Sequence, residues 1–144
     1  MPQKIVVGYD GSEIGQSALD FAVDLAKARG AGLVLAHVLE WSPYSFLTKE
    51  EIEERHKRRT EELERARTAV LDPVVQSLQG QGITVSSVLR YGHIAETLCK
   101  IATDENASQI VVGRTGHSGL SARLFGSVAG SLAQASPVPV TIVP

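Results

Sequence analysis

The run Lys4-Ile-Val-Val-Gly8 constrains the fold of this chain more than any other segment. It is short, β-branched and free of polar alternation, as befits a strand covered on both faces, the usual condition in a parallel sheet. It breaks at Gly8-Tyr9-Asp10-Gly11-Ser12, turn chemistry followed by a helix cap. From Ile14 to Arg29 the apolar residues Ala18, Phe21, Ala22, Leu25 and Ala26 recur at helical spacing, and Gly30 and Gly32 supply the stop. Leu33-Val-Leu-Ala-His-Val38 is a second run of the buried kind. A strand–helix–strand unit is complete at this point, and a parallel pair is its economical reading.

The rest of the chain continues the alternation. Leu39 to Thr48 is an irregular connection containing Trp41, Pro43, Tyr44 and Phe46. Lys49 to Arg67 then carries seven acidic and seven basic residues in nineteen, with Glu51–Arg55, Glu53–Lys57, Glu54–Arg58 and Glu61–Arg65 four apart in the favourable order. The mixed signs suit a solvated helix face. Ile52, Leu63, Ala66, Val70 and Val74 form the stripe expected to dock it, and Pro73 is expected to kink or divide the helix. Ile83 to Leu89 reads as a third, less buried strand, followed by an amphipathic helix through Ile94, Ala95, Leu98, Ile101 and Ala102. Gln109-Ile-Val-Val112 is a fourth buried strand, and Ser127 to Ala135 a fourth helix. Val138 to Val143 is a fifth strand, whose prolines at 137, 139 and 144 suit a sheet edge. The expected fold is therefore α/β: a single-domain, doubly wound, Rossmann-like parallel sheet of five strands in the order 3-2-1-4-5.

Composition narrows the partners. At 144 residues, with 43% hydrophobic and 21% charged, the chain matches one soluble globular domain. A net charge of −2 gives no reason to expect nucleic acid or an anionic membrane as partner. One cysteine, Cys99, excludes an internal disulfide, and Met1-Pro2-Gln3-Lys4 leads straight into the first strand without a leader's cleavage site. The cytoplasm is the expected location.

The chemistry concentrates in Gly113-Arg-Thr-Gly116-His-Ser-Gly119-Leu-Ser-Ala-Arg-Leu-Phe-Gly126-Ser127-Val128. This loop leaves the carboxyl end of a buried strand and finishes at a helix start, where backbone N–H groups and the helix dipole favour phosphate. Gly113 and Gly116 lack a Cβ, so the backbone can approach a phosphate chain closely. Ser127 can cap the helix or offer its hydroxyl to a phosphate. Arg114, Thr115, His117 and Arg123 lie within reach, and the two arginines bring the positive charge that phosphates need. The bland alternative is a glycine-rich surface loop ended by an ordinary cap.

Other nucleotide motifs are missing. No G-x-x-x-x-G-K-[ST] occurs, and the first turn lacks a spaced G-x-G-x-x-G. A response regulator would need an aspartate after the third strand, where Arg90-Tyr91-Gly92 stands.

Gly113-x2-Gly116-x9-Gly126-Ser127 matches without a gap the G-x2-G-x9-G-[ST] of the nucleotide-binding universal stress proteins, which the chain resembles along nearly its whole length. The opening strand ending at Asp10, the His37-Val38 pair and the Pro137-Val138-Pro139-Val140 ending belong to the same resemblance. It implies ATP as ligand, with AMP or ADP as alternatives and Mg²⁺ or Mn²⁺ as an ion accompanying the phosphates. Asp10 and the backbone of Gly8 and Tyr9 would line the adenine and ribose side. Val38 would bond adenine through its main chain, and Val112 would close the pocket from below. Gly113, Gly116, Gly126, Ser127 and Val128 would hold ribose and phosphates. Relatives often carry proline or alanine at the position of Gly8. The resemblance also supports a homodimer paired along Val138–Val143. No acid–base pair spaced for catalysis is visible, so a nucleotide-responsive regulator is expected, ahead of a slow hydrolase or phosphotransferase using Asp10, His93 or His117, or a dimeric interaction module without nucleotide turnover. His37 is expected to be a hydrogen-bonded structural histidine, and Cys99 an inert hydrophobe.

Overall fold

The computed structural model describes residues 3–40, 48–114 and 127–144. Five parallel strands, β1 (Lys4–Gly8), β2 (Gly32–Glu40), β3 (Val85–Gly92), β4 (Gln109–Gly113) and β5 (Val140–Val143), form one sheet in the order β3-β2-β1-β4-β5. The expected strand order and the edge position of β5 are both found. Helices cover both faces. Ile5, Val7, Leu33, Leu35 and Val111 face α1 (Glu13–Arg29) and α3 (Asp72–Leu78). Val6, Val34, Ala36, Val38, Ile110 and Val112 face α4 (Ile94–Asp104) and α5 (Ser127–Ala135). Alternate residues of each central strand thus feed two separate cores, which is why these runs show no alternation of polar with apolar residues.

Ser12 caps α1, its Oγ accepting the Gly15 N–H at 3.0 Å, and Gly30 ends the helix at φ +61°. Its inward face is Ala18, Leu19, Ala22, Val23 and Ala26; Phe21, expected to point inward, is exposed at the rim. Short side chains along this face let the helix lie close on the sheet.

The third strand is displaced from expectation. It runs from Val85 to Gly92 rather than from Ile83, because pairing with the long β2 continues to Glu40↔Gly92. Ile83 instead packs its side chain on the core from the preceding turn.

The charged helix α2 (Lys49–Ala66) carries a capping box at Thr48 and Glu51, and Glu54 and Arg58 pair at 2.8 Å. The expected docking stripe is corrected. No residue of α2 is buried, and Ile52 is 54% exposed. A π-helical turn, Arg67–Leu71, follows, in which Asp72 donates its N–H to the Arg67 carbonyl five residues back. The wider turn rotates the succeeding residues, so Leu71 and Leu78 are buried in the core, while Val74 packs against it only partly buried and Val70 stays at intermediate exposure. Pro73 then falls in the first turn of α3, where its missing N–H does no harm. The helix is divided as expected, one turn ahead of the proline. No helix among the described residues is long and apolar enough to cross a membrane.

Candidate functional site

The chain leaves β1 toward β2 on one side, and β4 lies on the other, so the sheet's direction of winding reverses between β1 and β4. Helices on opposite faces diverge at such a point and open a crevice at the carboxyl ends of the strands. A cavity of about 430 Å³ lies there.

One wall is apolar. Val38 comes from β2, Val112 from β4, Ile94 and Leu98 from the first turns of α4, and Ala129 from α5. The floor passes under Gly8, where an added Cβ would stand 3.1 Å from Val112 and 3.2 Å from Leu98. The lining also includes Gly113, Arg114 and Ser127, with Val128 next in sequence. Ser127 is the first residue of α5, so the unsatisfied N–H groups of that helix begin at this residue.

The loop after β1 supplies Tyr9 and Asp10. Asp10 Oδ1 accepts from the Ser12 N–H at 3.0 Å and from Ser12 Oγ at 2.5 Å, a side-chain turn that places the carboxylate at the mouth of α1. Asp10 is thus both a turn residue and a lining residue. Tyr9 O–H lies 3.3 Å from Gln16 Oε1, and burial, with Asp10 and Asp20 nearby, holds its phenol proton more tightly than usual. His37 is 9% exposed and hydrogen-bonded, as expected, through Nδ1 to the Tyr9 carbonyl at 2.7 Å.

Arg114 has the most informative polar atom. Its backbone N–H donates to the Val143 carbonyl at 2.8 Å, continuing the ladder past β4. Its side-chain Nε is buried and finds no hydrogen-bond partner among the described residues. A buried guanidinium N–H left unmade costs about 1–3 kcal/mol or more, so an oxygen acceptor from a bound molecule would fit here.

Of the residues expected at the site, Gly8, Tyr9, Asp10, Val38, Val112, Gly113, Arg114, Ser127 and Val128 converge on this crevice. Gly116, His117 and Gly126, with Thr115 and Arg123, lie outside the described residues, as do Trp41, Tyr44 and Phe46. His93 is exposed ahead of α4 and is not among the residues around the cavity. Ile94, Leu98, Ala36 and Glu40 were not singled out from the sequence. The first two could have been found, because the helix after β3 must start beside the switch point. Ala36 and Glu40 gave no such signal. Cys99 lies on α4, where burial and then the Glu96 charge raise its thiol pKa, consistent with an unreactive side chain.

Fold and crevice together define a small doubly wound α/β protein with a mixed apolar and polar crevice at its switch point. The profile of the universal stress protein family matches residues 1–144. A curated relative, universal stress protein YxiE of Bacillus subtilis, is 30% identical over 156 aligned positions, covering 99% of each chain. The chain belongs to the universal stress protein family. The universal stress protein UspA from Lactobacillus plantarum superposes with a TM-score of 0.83 over 99% of this chain and 97% of that one, at 22% identity, and shares the fold. A universal stress protein solved in complex with cAMP is 26% identical, with a TM-score of 0.70 over 99% of this chain and 96% of its own.

Proposed function

We propose that this protein binds ATP in the crevice between β1 and β4 and acts in the cytoplasm as a nucleotide-responsive stress or regulatory protein. The observation that carries the reading is the buried Nε of Arg114, without a hydrogen-bond partner among the described residues, in the lining of a cavity that also carries Val38, Ile94, Leu98 and Val112. An adenine ring suits the wall of Val38, Ile94, Leu98 and Val112, with its edge toward the main chain of Val38. The ribose then lies near Gly8, Tyr9 and Asp10, and the phosphates toward Gly113, Arg114, Ser127 and Val128. Gly116, His117 and Gly126 complete the phosphate side in this reading. The family relative described in complex with cAMP supports an adenine nucleotide as the ligand class, so AMP and ADP are weaker alternatives at the same place. Among the described residues no three His, Cys, Asp or Glu side chains are grouped to hold a metal, so Mg²⁺ or Mn²⁺ arriving with ATP would keep mainly phosphate oxygens and water as ligands.

The role proposed is binding rather than turnover. Asp10 Oδ1 is engaged by Ser12, and His93 stands outside the cavity lining. A second copy is proposed to pair along the edge strand β5, where Val140 to Val143 leave one side of the ladder open in the single chain.

Calorimetric titration with ATP and adenosine tests the binding. Wild-type protein should bind ATP below millimolar concentration, and Arg114→Met should weaken ATP about tenfold while adenosine changes little. No heat from ATP at millimolar concentration contradicts the reading. Light scattering at micromolar concentration should give the mass of a dimer; a monomer contradicts the β5 pairing.

A further inference from the structure

The ladder between β1 and β2 ends at the pair Gly8↔Ala36, yet Tyr9, one residue further, is still held through both its N–H and its carbonyl, on the two peptide units that flank it. Its N–H donates to the Ala36 carbonyl at 2.9 Å. Its carbonyl meets the imidazole of the next β2 residue, His37, at 2.7 Å. A carbonyl only accepts, so Nδ1 carries the proton and donates. Strand alternation turns the His37 side chain to the opposite sheet face from Ala36 and Val38, at a position where the residue also borders the crevice. A buried imidazole in a strand requires a partner, and this one has taken a main-chain carbonyl of the neighbouring strand. The residue after that carbonyl is Asp10, whose carboxylate receives Ser12 and sets the cap of α1. Without the imidazole, the Tyr9 carbonyl loses this hold, and rotation of the Tyr9–Asp10 peptide would swing Asp10 relative to the cavity.

We propose that His37 is a positioning residue for the crevice: by holding the Tyr9 carbonyl, it fixes the direction in which Asp10 meets the ligand. The proposal rests on the reading of the crevice as a nucleotide site, and His37 acts through Tyr9 and Asp10.

Three variants separate the donor from the bulk. His37→Asn keeps an N–H near the place of Nδ1, His37→Gln carries its N–H one bond too far, and His37→Leu fills space without a donor. Each is titrated with ATP, and amide exchange is followed at Asp10, Gly11 and Ser12 in the unliganded protein. Gln and Leu should weaken ATP by about tenfold, the scale of one lost hydrogen bond, and speed exchange at those three amides. Asn should restore both to near wild type. If Leu does not fold, Gln carries the comparison. Asn behaving as badly as Gln, or Gln behaving as wild type, overturns the proposal. A wild type that binds no ATP overturns the nucleotide reading instead, and exchange then decides alone. Acceleration confined to residues 10–12 in Gln upholds the role of His37, and unchanged exchange overturns it.

Discussion

A Cβ built on Gly15 would stand 2.5 Å from Asp10 Oδ1 and 3.1 Å from Ser12 Oγ, so the third residue of α1 must lack a side chain for the first βα turn to close. Ordinarily Gly→Ala inside a helix stabilises by about 0.5–1 kcal/mol. Here the sign should reverse. Gly15→Ala displaces the Asp10 carboxylate and its hydrogen bonds from Ser12, for a net loss of about 1–2 kcal/mol. Thermal melting should show a fall of several degrees, with weaker ATP binding; a raised melting temperature would contradict this geometry.

Gly8 offers a second steric test, at the floor of the crevice. A methyl there already requires Val112 and Leu98 to give way by a few tenths of an ångström. Gly8→Val adds two further carbons between buried neighbours and should cost about 1–3 kcal/mol by overpacking. It should also weaken ATP more than adenosine-independent features such as dimerisation. Unchanged affinity at full occupancy of the fold would place the ligand elsewhere.

Much of this architecture was legible in the sequence because the chemistry is local. Ile5-Val6-Val7 and Gln109-Ile-Val-Val112 carry no polar alternation because each strand feeds a core on both faces. The prolines around Val138 exclude a central position for β5. The same locality made Gly113, Arg114 and Ser127 visible as residues of one candidate site, and they line one cavity. The apolar wall was less visible. Ile94 and Leu98 look like any inward residues of an amphipathic helix, and only the placement of α4 beside the switch point makes them line a cavity. The π turn at Arg67–Leu71 left no signal beyond Pro73, because an extra residue in a helix changes which side faces inward without changing composition. Gly15 was hidden for a related reason: its constraint comes from Asp10, folded back from the preceding turn.

The π turn makes its own prediction. Leu71 is fully buried, whereas Val70 is only partly so. Leu71→Ala should cost about 2–5 kcal/mol and Val70→Ala less than about 1. Denaturant melts of the two variants decide it. Equal costs, or the reverse order, would restore the uninterrupted stripe.

Tyr91 at the end of β3 links the sheet to the charged helix. Its hydroxyl donates to Glu62, and the Arg59 guanidinium lies 5.4 Å from its ring centroid. Burial first, then the hydrogen bond and charge of Glu62, push its pKa up to about 12, against the small opposing pull of Arg59. The folded phenol therefore holds its proton more tightly than the unfolded one, whose pKa is about 10. The associated stability is complete below about pH 10 and is lost as pH rises toward 12. Wild-type protein should lose melting temperature faster than Tyr91→Phe across that window, with the curves parallel at neutral pH. Because the pair is largely exposed, the difference should be no more than about 1–2 °C. Parallel curves throughout would remove the link.

The most direct test of the central claim is residue-resolved NMR of labelled protein during ATP titration. Binding at the switch point predicts saturable shifts at Gly8, Tyr9, Asp10, Val38, Val112, Gly113, Arg114, Ser127 and Val128, while amides of α2 stay in place. No change at millimolar ATP, or changes confined to α2 and β3, would contradict the account.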